Sequence, residues 1–343
     1  MASHRRPKQP SRTRVTVLTA TAAAAVALTS QAAQAAPKPS KSEVKAKADA
    51  LFEEAEAATE KYNGAKDKQE KLQKEISQLQ DNVARGQDEL NTLRDGLGSL
   101  ASAQYRSGGI DPSVQLFLSS DPDDFLGKAS TLDQLSARQV GLLTKIQEKQ
   151  RSLAQQRKEA SDKLKDLADT RAELGKKKKE VQGKLGEAQK LLNTMTAKEK
   201  AALAAKEERA SRDSARSALG NAKPGSGLAG AAFSAGQSRV GSPYVWGATG
   251  PSSFDCSGLT SWAYAQAGVS LPRTSQQQAN IGTRVYSQSD LQVGDLVFFF
   301  DDLHHVGLYA GNGQVLHAPR TGTDVRYESM STIGGPFEFG VRV

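Results

Sequence analysis

The chain has 343 residues, with 46 Lys and Arg against 38 Asp and Glu and a formal net charge of +8 at pH 7. Residues 36–228 carry 35 basic and 30 acidic side chains, and residues 229–343 carry 6 basic and 8 acidic ones. A nucleic-acid-binding protein gathers positive charge in one patch or stripe. This dispersed charge therefore argues against nucleic acid as a partner.

Residues 1–35 are predicted to be a secretory signal peptide. A basic segment that includes Arg5 and Arg6 precedes an Ala-rich apolar run over residues 15–29, and Ala33-Gln34-Ala35 has the form of a signal-peptidase site. The apolar run is shorter than the ~20 residues that a membrane-spanning helix needs. We therefore expect a soluble mature protein that is secreted to the extracellular side.

Residues 36–216 are predicted to form a long antiparallel coiled-coil hairpin. Apolar residues recur at intervals of three or four over residues 44–100 and again over residues 132–192. A sustained seam of this kind needs a partner helix to cover it. The two arms flank a segment rich in Gly, Pro and Asp, so the simplest arrangement is one in which the second arm folds back on the first.

The predicted tip of the hairpin, residues 107–126, is too apolar for a plain solvated turn. One interpretation is a small helical knob that packs on itself. The other is a docking site for a protein partner, because clustered exposed apolar surface marks interfaces. The large apolar residues of the tip are Ile110, Val114, Leu116, Phe117, Leu118, Phe125 and Leu126.

Residues 217–230 are predicted to be a flexible linker, since they hold Pro224, several glycines and few large side chains. Residues 231–343 follow and suffice for one small domain with its own core. The composition also changes at this point, because both tryptophans of the chain lie after residue 245.

Cys256 is the only cysteine of the chain, and an exported protein with one cysteine has no intramolecular disulfide. The sequence Asp255-Cys256-Ser257-Gly258 opens a helical pattern that Gly268 ends, with Asp255 as a candidate cap. The helix dipole at such an N-terminus favours the thiolate, which is the nucleophilic form. The alternative is a small buried cysteine with a packing role.

Two strand-like segments downstream supply histidines, which are the usual bases of cysteine catalysis. His305 begins the first segment, and His317 lies in the return strand after Gly311-Asn312-Gly313, a strong hairpin signal. A two-residue loop sends the two histidines to opposite faces, whereas a three-residue loop places them on one face. Catalysis therefore predicts the longer loop. Spacing alone does not choose between His304 and His305, which point to opposite faces.

A series of short motifs in residues 231–343 resembles the NlpC/p60 family of bacterial cell-wall cysteine peptidases. The resemblance implies a circularly rearranged, papain-like α+β fold for this domain, preceded by the coiled-coil hairpin. The motifs occur in the order of the family: Pro243-Tyr244-Val245-Trp246-Gly247, Asp255-Cys256-Ser257-Gly258, Leu271-Pro272-Arg273-Thr274-Ser275, Val293-Gly294-Asp295-Leu296-Val297-Phe298, His305-Val306-Gly307-Leu308-Tyr309 and Val315-Leu316-His317-Ala318.

The same resemblance assigns roles to individual residues. It implies that Cys256 is the nucleophile, that His305 is the general base and that His317 orients His305. It places Tyr244 beside the nucleophile and associates three further residues with binding of the stem peptide, for which the alternative roles are a helix cap and surface positions. Those three are Asp255, Ser257 and Arg273. No metal and no cofactor is implied.

The implied reaction is hydrolysis of the bond between γ-D-glutamate and the diamino acid in peptidoglycan stem peptides, through a thioacyl enzyme. The protein would then be a cell-wall-associated hydrolase that acts in wall remodelling or division. Two alternatives stay open. In the first, the hairpin is a scaffold and the C-terminal domain only binds wall peptides. In the second, the same fold acts as an amidase on a different substrate.

The N-terminal region resembles the secreted coiled-coil peptidoglycan hydrolases of dividing bacteria. The resemblance rests on residues 105–109, Tyr-Arg-Ser-Gly-Gly, and on residues 121–126, Asp-Pro-Asp-Asp-Phe-Leu. It implies that the hairpin tip docks on a membrane-bound division complex of the FtsE–FtsX type and that the coiled coil regulates the peptidase.

Overall fold

The computed structural model describes residues 40–106, 114, 118, 122–221 and 227–343. The predicted signal peptide, residues 1–35, lies outside the described residues, and so does most of the predicted hairpin tip. The proposals that depend on these segments therefore stay predictions. Within the described part of the chain, no helix combines the length and the apolar character that crossing a bilayer would require.

Two long helices pack side by side in opposite directions and form a helical hairpin. Helix α1 spans Lys41–Arg106 and helix α2 spans Pro122–Asn193. Residues early in α1 meet residues late in α2, and later residues of α1 meet earlier ones of α2, so the pairing is antiparallel. The buried clusters that show this order are Ala48 with Ala188, Leu72 with Leu167, and Leu90 with Ile146.

Gly86 interrupts the apolar seam of α1, yet it fits the packing of the hairpin. A Cβ at this position would lie 2.8 Å from a methyl group of Leu153 on α2. Leu153 is only 3% exposed, so its side chain fills the space that Gly86 leaves. A weak point in the sequence pattern is therefore a site of close helix contact.

A third helix, α3, spans Ala197–Asn221 and begins with a reciprocal cap. The Glu199 carboxylate accepts from the Thr196 N–H at 2.8 Å, and the Thr196 hydroxyl accepts from the Glu199 N–H at 3.3 Å. Helix α3 packs on the C-terminal sheet, and Ala218 is buried in the core of that domain. The prediction that the hairpin continues to residue 216 is therefore wrong after residue 193.

The predicted flexible linker, residues 217–230, is wrong at both of its ends. Residues 217–221 belong to α3, and residues 227–230 begin helix α4, Gly227–Gln237. The physical reason is burial, since Ala218 and Ala232 both pack into the domain core. Residues 222–226 lie outside the described part of the chain.

The C-terminal domain has a six-stranded antiparallel sheet in the order β1-β6-β2-β3-β4-β5. Together with the helices it forms an α+β domain behind a helical hairpin, as predicted. The remaining elements are α5, Cys256–Gln266; α6, Ser275–Gln278; a 3₁₀ turn, Gln288–Asp290; and the strands β1, Thr283–Val285; β2, Leu296–Phe299; β3, His305–Gly311; β4, Gln314–His317; β5, Arg326–Ser329; and β6, Phe337–Arg342.

Strand β2 lies inside the sheet and is buried on both faces. Leu296 and Phe298 pack in the cluster that includes α4 and α5, whereas Val297 and Phe299 pack in a second cluster. A strand that is covered on both faces needs a continuous apolar run rather than an alternating one. The uninterrupted apolar sequence of residues 296–299 meets this requirement.

The β3–β4 hairpin reaches the register that catalysis requires by an unexpected route. The loop has two residues, Asn312 and Gly313, both with positive φ, as a tight Asn-Gly turn demands. Pairing then shifts by one residue between Tyr309 and Gly311. This β-bulge brings His305 and His317 to one face, so the prediction of a three-residue loop is wrong although its consequence holds.

Gly307 is required where β3 and β4 approach each other. A Cβ on Gly307 would lie 2.3 Å from Val315 Cγ1 and 3.0 Å from His317 Cβ. Replacement by Ala should therefore lower the stability of the C-terminal domain by about 1–3 kcal/mol, the range for overpacking. Denaturant unfolding followed by the fluorescence of Trp246 and Trp262 would measure this, because both tryptophans lie in that domain.

Gly175→Ala is the matched control, because a Cβ there meets nothing within 4 Å on an exposed helix face. It should leave the fluorescence transition in place and stabilise α2 by up to about 1 kcal/mol. An unchanged transition for Gly307→Ala would contradict the close approach of the two strands.

Candidate active site

Cys256 is the first residue of α5, and the preceding residue caps that helix. Asp255 has extended backbone angles, and its Oδ1 accepts from the Gly258 N–H at 2.7 Å. Gly258 is needed for this tight entry, because a Cβ there would lie 2.1 Å from the Ala248 carbonyl oxygen. The predicted position of the cysteine at a helix N-terminus is therefore confirmed, and its side chain is 1% exposed.

The two histidines on β3 and β4 form a pair beside the cysteine. His305 Nε2 lies 2.8 Å from His317 Nδ1, and both side chains are buried. The Cys256 sulfur, a ring nitrogen of His305 and a Glu56 carboxylate oxygen lie within 4.8 Å of one another. Because Nε2 of His305 faces His317, Nδ1 is the ring nitrogen that is available to the thiol.

His304 points away from this pair. Its ring stacks on Phe300 at a centroid distance of 4.1 Å, and its Nδ1 is paired with Asp302. Only its backbone is near the cysteine, with the carbonyl oxygen 3.6 Å from the sulfur. Spacing leaves the choice between His304 and His305 open, and the structure places the ring of His305, but not that of His304, beside Cys256 and His317.

A glutamate from the hairpin enters the site, which the sequence did not predict. Glu56 of α1 is 8% exposed, and its Oε1 lies 2.5 Å from His305 Nδ1. Burial alone would lower the pKa of His305, but the charge and the hydrogen bond of Glu56 raise it above its ordinary value. An imidazolium bonded to Glu56 and His317 has no free nitrogen, so it cannot accept the thiol proton.

A second glutamate, Glu60, lies one helical turn further along α1 and is 1% exposed. Its Oε1 accepts from the Ser257 hydroxyl at 2.7 Å, and its Oε2 accepts from the backbone N–H of Ser275 at 2.8 Å. Burial, followed by the charge of Asp255, raises the pKa of Glu60 to about 7. The site therefore holds a carboxylate that is poised to titrate near neutral pH.

Asp255 and Arg273 form a buried ion pair behind Glu60. Two guanidinium nitrogens of Arg273 donate to the two carboxylate oxygens of Asp255, and one of them also donates to the Ser257 hydroxyl at 2.8 Å. Asn63 of α1 adds a donor to Asp255 Oδ2 at 3.0 Å. The three residues predicted to bind the stem peptide thus form one polar cluster, and α1 contacts it. Their role in binding stays a prediction.

Burial raises the pKa of the Cys256 thiol well above its ordinary value, and the charges of Glu60, Glu56 and Asp255 act in the same direction. The prediction that the helix N-terminus favours a thiolate is therefore wrong for this arrangement. Three carboxylates and the loss of water outweigh a dipole effect that amounts to roughly 0.3–2 kcal/mol. With α1 in place, the surroundings of Cys256 therefore favour the neutral thiol over the thiolate.

Tyr244 lies in the same buried cluster as Cys256 and is 5% exposed. Burial raises the pKa of its phenol, and the charge of Glu56 adds to the effect. A neutral phenol is able to donate a hydrogen bond to an oxygen atom near Cys256. The structure thus brings Tyr244 to the predicted place, and its role stays a prediction.

One group of metal-type donors occurs among the described residues, namely Glu56, Cys256 and His305. Their chemistry suits zinc, but Glu56 and His305 are 2.5 Å apart. Ligands around a tetrahedral zinc ion are separated by roughly 3.3 Å, as bonds of about 2.0–2.1 Å require. The pair is therefore arranged as a hydrogen bond and not as two ligands of one ion.

The sequence contained little signal for the α1 residues of the site. Glu56, Glu60 and Asn63 follow a 4–3 spacing, which places them on one face of the helix. Many exposed residues of α1 follow the same spacing, so only burial against the C-terminal domain distinguishes these three. No sequence pattern indicated the edge-to-face contact between Tyr62 and Trp246 either, whose ring centroids are 5.0 Å apart.

Residues 241–334 match the sequence model of the NlpC/P60 family. The C-terminal domain of this chain is therefore an NlpC/P60 domain. The chain is 49% identical over 128 residues to a probable endopeptidase of Corynebacterium glutamicum, a match that covers 37% of this chain and 59% of that protein. It is 44% identical over 104 residues to a probable endopeptidase of Mycobacterium tuberculosis, covering 30% of this chain and 27% of that protein.

Among solved structures, the chain is similar to the NlpC/p60 domain of the peptidoglycan hydrolase SagA. The identity is 33%, the match covers 34% of this chain and 98% of that domain, and the TM-score is 0.31. Of the Corynebacterium glutamicum relative, in contrast, the chain spans little more than half of the length. The similarity extends over the C-terminal domain.

The pKa of Glu60 predicts a pH-dependent stability. Its value of about 7 lies above the ordinary 4.5, so the folded chain binds the Glu60 proton more tightly than the unfolded chain does. The resulting stabilisation is fully present below pH 4.5 and is lost as the pH rises through 7. Relative to Glu60→Gln, the unmodified chain should lose up to about 3 kcal/mol of unfolding free energy over this range.

Guanidinium unfolding at a series of pH values between 4.5 and 8 would measure the difference. Gln keeps the size of the side chain and an oxygen that accepts from Ser257, but it does not titrate. Glu70→Gln, an exposed glutamate on the same helix, is the control and should track the unmodified chain. Parallel curves for the unmodified chain and Glu60→Gln would show that Glu60 is not buried against the domain.

Proposed function

We propose that this protein is a secreted cysteine peptidase that hydrolyses the bond between γ-D-glutamate and the diamino acid of peptidoglycan stem peptides. The observation that carries the proposal is Cys256 at a helix N-terminus beside the hydrogen-bonded pair His305–His317. The match to the NlpC/P60 family supports the class of reaction. The class of substrate follows from the resemblance of the motifs to the cell-wall peptidases of that family.

The proposed reaction moves one proton through His305. Nδ1 of His305 accepts the thiol proton of Cys256, and the sulfur attacks the γ-carbonyl carbon of D-glutamate. The C–N bond then breaks, and the leaving amine takes the proton from Nδ1. Water gives its proton to the same nitrogen, attacks the thioester and releases the acid and the free thiol. The backbone N–H of Cys256 is the candidate donor to the oxyanion.

The contacts of Glu60 support the predicted binding role of Ser257 and Arg273. A γ-linked D-glutamate carries a free α-carboxylate next to the bond that is cut. In the covered site a carboxylate already lies against the Ser257 hydroxyl and the Ser275 N–H, and Arg273 donates to the same hydroxyl. These groups form a carboxylate site beside the nucleophile, and α1 fills it with its own glutamate.

We further propose that α1 regulates the enzyme by covering the site. Glu56 is bonded to the proposed base His305, and Glu60 fills the carboxylate site. While α1 is in place, a stem peptide therefore has no room to bind and the thiolate of Cys256 is disfavoured. The arrangement that the structure describes is then a resting form. Activity requires that this turn of α1 leave the cleft.

Secretion, association with the cell wall and docking on an FtsE–FtsX-type complex complete the proposal. Secretion is inferred from the features of residues 1–35 and docking from the apolar segment at residues 107–126, which are almost entirely outside the described residues. A partner that binds the hairpin far from the domain would displace α1 from the cleft, because α1 is one helix of 66 residues that runs from the cleft toward the hairpin tip.

The first test compares fragments released from purified peptidoglycan. The unblocked chain, defined as the protein without residues 1–35 and with Glu56→Ala and Glu60→Ala, should release peptides with an N-terminal diamino acid. Adding Cys256→Ala should lower the rate by at least ~10³-fold, because the nucleophile is removed. Mass spectrometry identifies the bond that is cut.

The same experiment distinguishes the alternatives. Fragments from another bond would indicate a different amidase. Binding of peptidoglycan without any cysteine-dependent fragment would indicate a scaffold, and it would refute the peptidase proposal.

The second test concerns regulation. The unblocked chain should cut peptidoglycan at least ~10-fold faster than the same chain with both glutamates intact, since loss of the charged hydrogen bond between Glu56 and His305 weakens the docking of α1 by about 1.5–3 kcal/mol. Glu70→Ala changes an exposed glutamate of the same helix and should leave the rate unaltered. Equal rates for all three chains would remove the support for regulation by α1.

A further inference from the structure

A carboxylate on β5 continues the chain of side chains that starts at the cysteine. Strand β5 pairs with β4 so that His317 lies opposite Arg326, and Glu328 is two residues further along on the same face. The Glu328 Oε2 atom lies 3.4 Å from His317 Nε2. Cys256, His305, His317 and Glu328 thus follow one another across the site.

The hydrogen bond between the two histidines allows two proton arrangements when both rings are neutral. In the first, His305 donates from Nε2 to His317 Nδ1, so that Nδ1 of His305 is a free base. In the second, His317 donates from Nδ1, and the proton of His305 is on the nitrogen that is available to the thiol. Only the first arrangement leaves His305 able to accept a proton from Cys256.

An acceptor at Nε2 of His317 decides between these arrangements. In the first arrangement this nitrogen carries hydrogen and needs an acceptor, whereas in the second it carries a lone pair that would face a carboxylate. Nε2 of His317 is buried, and in the described part of the chain no atom makes a hydrogen bond of good geometry to it. Glu328 is the anion next to it, and it stabilises the N–H form.

Glu328 is ionised at this place. Burial alone would raise its pKa, but the His317 ring and the Arg326 guanidinium, whose Nη2 is 2.8 Å away, lower it to about 2. Burial, together with the charge of His305, lowers the pKa of His317 despite the nearby Glu328. A neutral His317 therefore lies between His305 and the ionised Glu328, and through this ring the carboxylate is able to fix the orientation of His305.

The other charged groups around Glu328 come from three elements. Arg326 belongs to β5, Glu207 of α3 lies 3.4 Å from Arg326, and Arg320 lies 3.2 Å from Glu207. Glu56 of α1 reaches the opposite end of the histidine pair. Arg326 is shared between Glu207 and Glu328, and its Nε and Nη2 donate to Oε2 of Glu328, the same oxygen that faces His317. Arg326 thus holds the carboxylate in place next to the His317 ring.

We propose that Glu328 is a positioning residue for the base: it accepts the Nε2 proton of His317 and thereby fixes His305 in the form whose Nδ1 is free for the thiol of Cys256. This inference deepens the proposed peptidase mechanism and rests on it for its kinetic part. Its structural part, the position of the protons, does not depend on any substrate.

The structural part is tested by ¹⁵N NMR of a chain labelled at histidine. The sequence has four histidines, one of them in the predicted signal, so a chain without residues 1–35 gives three rings to assign. The unblocked chain with Cys256→Ala is measured above the histidine pKa values. His317 should carry its proton on Nε2, and Glu328→Ala should shift a substantial fraction to the Nδ1–H form.

Two results would overturn the proposal. One is a His317 proton on Nδ1 while Glu328 is intact, a measurement for which no variant at 328 has to fold. The other is an unchanged tautomer in a folded Glu328→Ala chain. Both results are independent of whether peptidoglycan is the substrate, so this failure is distinct from a failure of the proposed function.

The kinetic part uses the unblocked chain with an intact cysteine. Glu328→Ala should lower kcat/KM by about 10- to 100-fold, the range for a partner that orients a functional histidine. The loss should appear in kcat and not in KM, since Glu328 acts through His317. Glu328→Gln keeps an acceptor oxygen and should recover part of the rate.

Glu338→Ala, on strand β6 of the same sheet, is the matched control and should change kcat/KM by less than ~2-fold, because a surface change away from the site has little effect. Equal rates for Glu328→Ala and Glu338→Ala would contradict the positioning role. A loss confined to KM would do the same, since it would indicate contact with the peptide instead.

Discussion

One turn of the hairpin helix α1 inside the cleft is the constraint on which the rest of this structure depends. Glu56 and Glu60 are four residues apart, so both point from one face of the helix into the C-terminal domain. Glu56 bonds to His305 and Glu60 to Ser257 and Ser275. This contact holds the hairpin on the domain, covers Cys256 and raises the pKa of Cys256, His305 and Glu60 together.

The chemistry of this contact suits a reversible cover. A permanent interface is usually apolar, whereas buried carboxylates are stable only if partners compensate for the loss of water. Here the partners are the groups proposed to serve catalysis and substrate binding, and they regain water or peptide when α1 leaves. Helix α3 behaves differently, because its Ala218 belongs to the apolar core of the domain. The hairpin and α3 therefore differ in what their separation from the domain would expose.

The sequence was informative wherever a function depends on neighbours along the chain. It placed Cys256 at a helix start, the histidines around an Asn-Gly turn and two long helices with matching seams. It failed where distant contacts decide. The bulge between Tyr309 and Gly311 replaced the expected longer loop, and burial of Ala218 turned part of the expected linker into helix. Neither effect leaves a local pattern, because strand register and packing depend on partners far away in sequence.

The sequence by itself determined the position of Cys256 at a helix start, the strands that carry the two histidines and the type of domain, since these follow from short motifs, strand alternation and helix capping. Only the tertiary structure decided that the site is covered, that burial and carboxylates raise the pKa of its thiol, and that Glu328 lies next to His317 at the end of the row of polar groups. The physical reason is that pKa values and occupancy of a cleft are set by charges and burial in space. Residues 56, 60 and 328 reach Cys256 or its histidines across long stretches of chain that no local pattern links.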